Sequence, residues 1–148
     1  MSYQLRPPQS DEIDTIANWA IAAGWPGRDK YAALTVAEFG VLLTQPGHYS
    51  FAMSEAGRPA LGFGQLWVHA DDTVSLLRII VAPHLRGQGL GKQLTALLLE
   101  EARKLAKARQ IKLKVLRDNL AAVAVYTSLG FQIIEAQSSP HNYVMVRQ

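Results

Sequence analysis

Apolar residues recur at helical spacing in four stretches of the chain. The longest stretch begins at Leu90, where leucine and alanine alternate with Glu, Arg and Lys in a pattern that predicts a helix reaching about Arg109. A shorter apolar stripe follows Ser10, which we interpret as its N-cap. Two further helices are predicted after Thr35 and Asn119, because both residue types cap helix N-termini.

Runs of alternating or β-branched residues predict the strands. In the middle of the chain, three such runs are separated by glycine-containing or Asp-Asp turns, which predicts an antiparallel meander. Another run, Ile111 to Val115, follows the long helix, so strand, helix and strand form a βαβ unit with two parallel strands. The predicted strands are 3–6, 49–53, 60–70, 73–82, 111–115, 131–135 and 143–146. We therefore expect an α/β (α+β) fold with a mixed sheet of six to seven strands and about four helices.

Length and composition narrow the class of protein. At 148 residues with 49% apolar residues, one domain over residues 1–148 is expected. No run approaches the ~18 apolar residues of a membrane span, and the N-terminus lacks a secretory signal, so we expect a cytoplasmic protein without a membrane partner. The absence of cysteine excludes thiolate metal sites and a cysteine nucleophile, and we expect no metal. The net charge is +3, and Lys and Arg cluster in residues 86–92 and 103–117, which favours a local anion site over a nucleic-acid partner.

The residues from Val81 to Gly91 form a basic, glycine-rich turn between a strand and a helix, V-A-P-H-L-R-G-Q-G-L-G. Backbone N–H groups in such a turn converge on an anion, and the helix N-terminus adds partial positive charge. The spacing fits neither the dinucleotide-binding G-x-G-x-x-G nor the P-loop. The turn alone therefore predicts a phosphate-bearing ligand, or a purely structural turn that binds nothing.

Two motifs together carry a family resemblance. Arg86 to Gly91 resembles the R/Q-x-x-G-x-G/A signature of the GNAT superfamily of N-acetyltransferases. Behind it, Asn119, Ala122, Tyr126 and Gly130-Phe131 resemble the N-x-x-A-x-x-x-Y-x-x-x-G-F pattern of the same superfamily. The two blocks lie at a fitting distance, and the resemblance covers roughly residues 76–131.

The resemblance implies acetyl-CoA as co-substrate. The pyrophosphate would lie on the turn amides, and the pantetheine arm would pair with the backbone of the preceding strand. On the helix that follows, Asn119 and Tyr126 would meet this arm, and Tyr126 would protonate the departing thiolate. The implied cofactor-binding residues are Ile79, Ile80, Val81, Arg86, Gly87, Gln88, Gly89, Leu90, Gly91, Lys92, Asn119 and Tyr126.

The implied activity is transfer of an acetyl group to a primary amine of a small molecule or of a peptide or protein, by direct attack on the thioester. An alternative is a catalytically weak acyl-CoA-binding regulatory module. It is motivated by Ser75 and Lys114, which occupy by register the two positions where family members often carry a glutamate base. The acceptor, the length of the acyl group and the assembly, including a homodimer, stay open.

Several residues outside the motifs are candidates for the acceptor side. In the absence of a glutamate, the base is either a water relay or one of a few acidic and histidine residues. Trp25, in a loop rich in glycine and proline, is a candidate for substrate contact together with His69 and Glu135, whereas Trp67 is expected to pack the core. The candidate bases are His69, Asp71, Asp72 and Glu135.

Overall fold

The computed structural model describes residues 2–22, 35–106 and 110–148. Within these ranges the chain forms one seven-stranded mixed sheet with four α-helices, as the sequence predicts. The strands are β1 (Tyr3–Arg6), β2 (His48–Glu55), β3 (Gly62–Val68), β4 (Thr73–Val81), β5 (Gln110–Leu116), β6 (Gln132–Ile133) and β7 (Asn142–Arg147). The helices are α1 (Ile13–Ala22), α2 (Val36–Leu42), α3 (Leu90–Ala106) and α4 (Leu120–Ser128). Short 3-10 helices lie at Ser10–Glu12, Pro83–Leu85 and Glu135–Gln137.

The strand order is β1-β2-β3-β4-β5-β7-β6, and β4 and β5 form the parallel pair of the βαβ unit. On one face of the sheet, Leu94 and Leu98 of α3 are buried in a core that includes Leu66 of β3 and Leu113 of β5. A second core on the opposite face joins α1 and α2 to Phe63 and Ile80. The sheet is therefore the middle of three layers, and alternate residues of β3 and β4 face different helices.

Glu12 fastens the start of the first helix. Its carboxylate pairs with Arg6 of β1 at 2.7 Å and accepts the N–H groups of Gln9 at 3.0 Å and Ala60 at 2.9 Å. The prediction that Ser10 caps this helix is wrong, because residues 10–12 form a 3-10 turn preceded by Gln9. The physical reason is that Glu12, held by Arg6, reaches back to the Gln9 N–H and fixes the turn one residue earlier.

The other helix boundaries agree with the sequence where the structure describes them. Thr35 caps α2, since its hydroxyl accepts the Glu38 N–H at 3.1 Å and Glu38 accepts the Thr35 N–H at 3.1 Å. Helix α3 is described as far as Ala106, and the predicted extension to Arg109 lies outside the described residues. Trp25 also lies outside them.

Strand β4 contains a bulge. The β3–β4 register passes from Phe63↔Ile80 to Gln65↔Leu77, so β4 has one residue more than β3 over this interval. Within the bulge, Arg78 has φ +52°, a left-handed conformation that is uncommon for a residue with a side chain. The bulge turns the end of β4 relative to its start, next to the point where β4 and β5 separate.

Candidate functional site

Strands β4 and β5 open like a V. They are paired from Thr73↔Gln110 to Leu76↔Leu113, and the pairing ends there although β4 continues to Val81. Beyond this point β4 still pairs with β3 on its other side, through Ile80↔Phe63 and Val81↔Gly62. The edge of β4 that faces β5 therefore offers backbone groups to an extended ligand, which could add to it as a strand does. Ile79, Ile80 and Val81 lie along this edge.

The glycine-rich turn begins where this edge ends. After a 3-10 helix at Pro83–Leu85, residues 86–89 are exposed, and α3 starts at the buried Leu90. Gly87 and Gly89 have φ +79° and +81°, values that a residue with a Cβ adopts only under strain, and the space beside both is open for at least 4 Å. The exposed side chains of Arg86 and Lys92 flank the turn. The N-terminus of α3 thus adjoins an exposed turn flanked by two cations, an arrangement that suits a phosphate.

Helix α4 starts at the same edge of the sheet. It follows the carboxyl end of β5 as the turn follows that of β4, and parallel strands end on one side. Asn119 is the N-cap, its side chain accepting the Ala122 N–H at 3.2 Å. Tyr126 is half-buried, with its ring 6.2 Å from that of Phe131, and burial raises the pKa of its phenol to about 12. The phenol is therefore protonated throughout the neutral range.

A hydrogen-bonded network, which sequence reasoning missed, supports the bulge. Arg78 donates to Oε1 of Gln65 at 2.7 Å, and Gln65 is fully buried on β3. The amide of Gln65 donates in turn to the Leu42 carbonyl at 3.2 Å and the Ser50 hydroxyl at 3.0 Å. The only sequence signal was a single arginine within an apolar strand. The network ties α2 and β2 to the bulge of β4, two residues beyond the last pair of β4 with β5.

His69 and Ser75 are in direct contact beside the opening. Nε2 of His69 lies 2.7 Å from Oγ of Ser75, and the His69 ring packs on Trp67 with centroids 4.1 Å apart. Trp67 also stacks on His48 at 5.1 Å and is 40% exposed, so the expectation that Trp67 packs the core is wrong. Its cross-strand neighbours on this face are His48 and Ser75, which are polar, and the apolar contacts of α1 and α2 centre on Phe63 instead.

The remaining candidate bases lie elsewhere. Asp71 accepts the N–H and the hydroxyl of Thr73 at 3.1 and 2.7 Å, and these bonds lower its pKa in the β3–β4 turn. Asp72 is exposed in the same turn, with φ +67°. Glu135 is mostly exposed and pairs with Arg117. Of the four residues, His69 is the one in contact with Ser75.

Arg117, which sequence reasoning also missed, organises the polar loop after β6. It pairs with Glu135, donates from Nε to the Ser139 carbonyl at 2.9 Å, and lies 4.6 Å from the centre of the Tyr143 ring. Because Arg117 follows β5 directly, it holds residues 135–142 near the wide end of the V.

A family model, the acetyltransferase (GNAT) family, matches residues 12–131. The chain belongs to this family. The match extends from Glu12 at the start of the first helical segment to Phe131 beyond α4, so it includes the V, the glycine-rich turn and Tyr126. The GNAT fold predicted from the two motifs is thereby confirmed.

Curated relatives match about half of the chain. A probable spermine N(1)-acetyltransferase of Bacillus subtilis subsp. natto is 31% identical over 75 residues, which are 51% of this chain and 49% of the relative. An uncharacterized N-acetyltransferase, YobR, of Bacillus subtilis strain 168 is 39% identical over 72 residues, 49% of this chain and 27% of the relative. The chain thus matches half or less of the length of these relatives.

Solved structures match over almost the whole chain. The spermidine N-acetyltransferase of Vibrio cholerae, crystallised with CoA and spermine, superposes with a TM-score of 0.79 at 18% identity. The superposition covers 97% of this chain and 94% of that one. At this identity the similarity establishes a shared fold.

Two further properties bear on ligands and surroundings. Over residues 2–22, 35–106 and 110–148, no helix combines the length and the apolar character that a membrane crossing requires. Across the same part of the chain, no group of three or more His, Asp or Glu side chains is arranged to hold a metal ion.

Proposed function

We propose that the protein is an N-acetyltransferase that transfers an acetyl group from acetyl-CoA to a primary amine. The observation that carries the proposal is the V between β4 and β5, which ends at an exposed, glycine-rich helix start. An extended arm can pair with the free edge of β4 while its phosphates reach the N-terminus of α3. Family membership and the relatives named for acetylation of polyamines support this reading.

In this proposal, the cofactor lies along residues that the motifs identify. The amides of Gly87 to Gly91 bind the pyrophosphate, with Arg86 and Lys92 as flanking charges. The pantetheine arm runs along the backbone of Ile79, Ile80 and Val81. Its thioester then lies in the opening of the V, where the amine attacks the carbonyl carbon and the thiolate of CoA leaves.

Tyr126 is the proposed donor to the departing sulfur. It lies on α4, the helix that starts at the edge of the sheet where the V is wide, and its phenol keeps its proton at neutral pH because burial raises the pKa to about 12. Asn119 begins the same helix, and its side-chain oxygen is engaged in the cap, so its contact with the arm would come from its amide N–H₂.

The second candidate function is an acyl-CoA-binding module without turnover. It is favoured by one observation: Ser75 and Lys114, at the positions where relatives often carry a glutamate, are not carboxylates. The two functions share the cofactor site and differ in whether an amine is consumed. Binding of CoA therefore does not separate them, whereas release of free thiol does.

The test measures both properties on the full chain. Calorimetry gives the affinity for CoA, and thiol release from acetyl-CoA is followed with spermidine, kanamycin, glucosamine, lysine and a short peptide as acceptors. We expect CoA binding and amine-dependent thiol release with at least one acceptor. CoA binding without release for any amine would favour the binding module, and absence of CoA binding would refute both functions. Arg86→Gln should weaken CoA binding, with Arg103→Gln on α3 as the matched loss of charge.

A further inference from the structure

Ser75 lies at the vertex of the V. It pairs with Trp67 across β3 and with Lys112 across β5, so these three side chains share the face of the sheet opposite α3. The last paired residue of β4 before the opening is Leu76, and Leu77 follows on the face of Ser75. An amine that attacks a thioester held in the opening would therefore approach within reach of Ser75, directly or through one water.

A serine hydroxyl is by itself a poor base, but this hydroxyl has a partner. Nε2 of His69 lies 2.7 Å from the Ser75 oxygen, a distance typical of a strong hydrogen bond. The contact arises because His69 and Ser75 flank the tight β3–β4 turn, where the His69 N–H donates to the Thr73 carbonyl at 2.9 Å. Packing on Trp67 fixes the orientation of the His69 ring. With the ring proton on Nδ1, Nε2 accepts the hydroxyl proton of Ser75.

The surroundings keep His69 neutral. Burial is the largest cause, and it lowers the pKa of the imidazole below its usual range. Lys112 on β5 lowers this pKa further, Asp71 in the turn raises it, and His48 on β2 lowers it. At neutral pH the ring is therefore unprotonated and able to receive a proton.

We propose that Ser75 and His69 form a proton relay that replaces the missing carboxylate base. This inference rests on the proposed function. The ammonium form of the acceptor gives a proton to Oγ of Ser75 while the Ser75 hydroxyl proton moves to Nε2 of His69. The neutral amine then forms a bond to the thioester carbonyl carbon, and the C–S bond breaks. Tyr126 donates a hydrogen bond to the departing sulfur while the second amine proton moves to that sulfur, giving free CoA thiol, and His69 returns its proton to the solvent.

The test compares His69→Gln with His48→Gln, using the acceptor with the highest kcat/KM in the amine panel. Both histidines contact Trp67, but only His69 is bonded to Ser75, so His48→Gln is the matched control. We expect His69→Gln to lower kcat/KM by about 100-fold, the lower end for loss of a general base, and His48→Gln to lower it less than about threefold. The affinity for CoA and the far-UV circular dichroism of each variant report whether the fold is retained.

The pH profile separates a relay from a structural contact. Wild-type kcat/KM should decrease as the pH falls through a pKa under about 6.5. In His69→Gln this acid limb should be absent, and kcat/KM should rise with pH toward the amine pKa of about 10. A double variant, His69→Gln with Ser75→Glu, places a carboxylate across from Lys112 and should recover at least tenfold in kcat/KM over His69→Gln alone.

Three outcomes would overturn the relay. An unchanged pH profile in His69→Gln, or a loss no greater than that of His48→Gln, would show that His69 is structural. Failure of Ser75→Glu to restore activity in a folded double variant would remove Ser75 from the path of the proton. Absence of turnover with every amine, in a protein that binds CoA, would refute the acetyltransferase function itself and the relay with it.

Discussion

Replacing Tyr126 by phenylalanine removes one hydroxyl from a half-buried ring and preserves the ring packing against Phe131. The pKa of the phenol, about 12, lies above the ordinary thiol value of about 8.5 by roughly 3.5 units. Complete proton transfer from the phenol to the free thiolate is therefore uphill by about 5 kcal/mol. Tyr126 is accordingly expected to act mainly as a hydrogen-bond donor to the developing negative charge on sulfur.

The size of the effect follows from this role. A hydrogen bond to a charged group contributes about 1.5–3 kcal/mol, so Tyr126→Phe should lower kcat by roughly 10- to 150-fold. The affinity for CoA should change little, because the thiol of the free cofactor carries no developing charge. No alkaline limb from Tyr126 is expected below about pH 11, since its pKa is about 12.

The assay is steady-state thiol release between pH 6 and 10, with CoA affinity by calorimetry and Tyr49→Phe as control. Tyr49 is an exposed tyrosine on β2, away from the V, and its variant should retain full activity. A Tyr126→Phe enzyme with more than a third of the wild-type kcat would refute the donor role. A loss of CoA affinity as large as the loss of kcat would assign Tyr126 to cofactor binding instead.

Three further predictions concern stability and charge. Glu12→Gln should remove a stabilisation of about 3 kcal/mol at pH 7, because the pKa of Glu12 is about 2. In the wild type this contribution is present above pH ~4.5 and is lost as the pH falls toward 2, and urea unfolding at several pH values measures the loss. Gly64→Ala should destabilise the fold by about 1–3 kcal/mol in urea unfolding, because the new Cβ would lie 2.5 Å from Cδ1 of the buried Leu98. As a control, Gly40→Ala on α2 should be neutral or stabilising, because its Cβ would have no atom within 4 Å. Lys114→Glu should lower KM for spermidine by roughly fivefold, and an unchanged KM would show that Lys114 does not face the bound acceptor.

The sequence predicted the framework because each element has a strong local signal. The apolar stripe of α3 and the alternation of β5 have periods that few other structures share, and together they imply the parallel β4–β5 pair. Thr35 with Glu38 is a reciprocal cap that sequence spacing reveals directly. The cofactor side of the V was predictable for the same reason, since turn residues and helix starts are read from short segments.

The acceptor side depends on contacts that short segments do not encode. Arg78 adopts φ +52° without being a glycine, so the bulge is marked in the sequence by no more than an arginine in an apolar strand, and Gln65 supports it from another strand. The contact between His69 and Ser75 depends on the register of a hairpin, and a shift by one residue would place the two on opposite faces. Trp67 was expected in the core because its type is apolar, although its neighbours on the sheet are polar.

The charges around the vertex of the V, where position 75 is not a carboxylate, affect the protonation of a bound acceptor. A glutamate at position 75 would stabilise the ammonium form of an acceptor and hold its pKa high. Lys112 lies across from Ser75, and the exposed Lys114 lies two residues further on the same face, so the chain instead presents positive charge there. Positive charge disfavours the ammonium form and lowers the pKa of a bound amine. A neutral imidazole is a weaker base than the amine it must deprotonate, and Lys112 lowers the pKa of His69 as well as that of a bound amine. A neutral His69 in place of a carboxylate and the positive charge of the two lysines therefore both favour acceptors that bind with few positive charges.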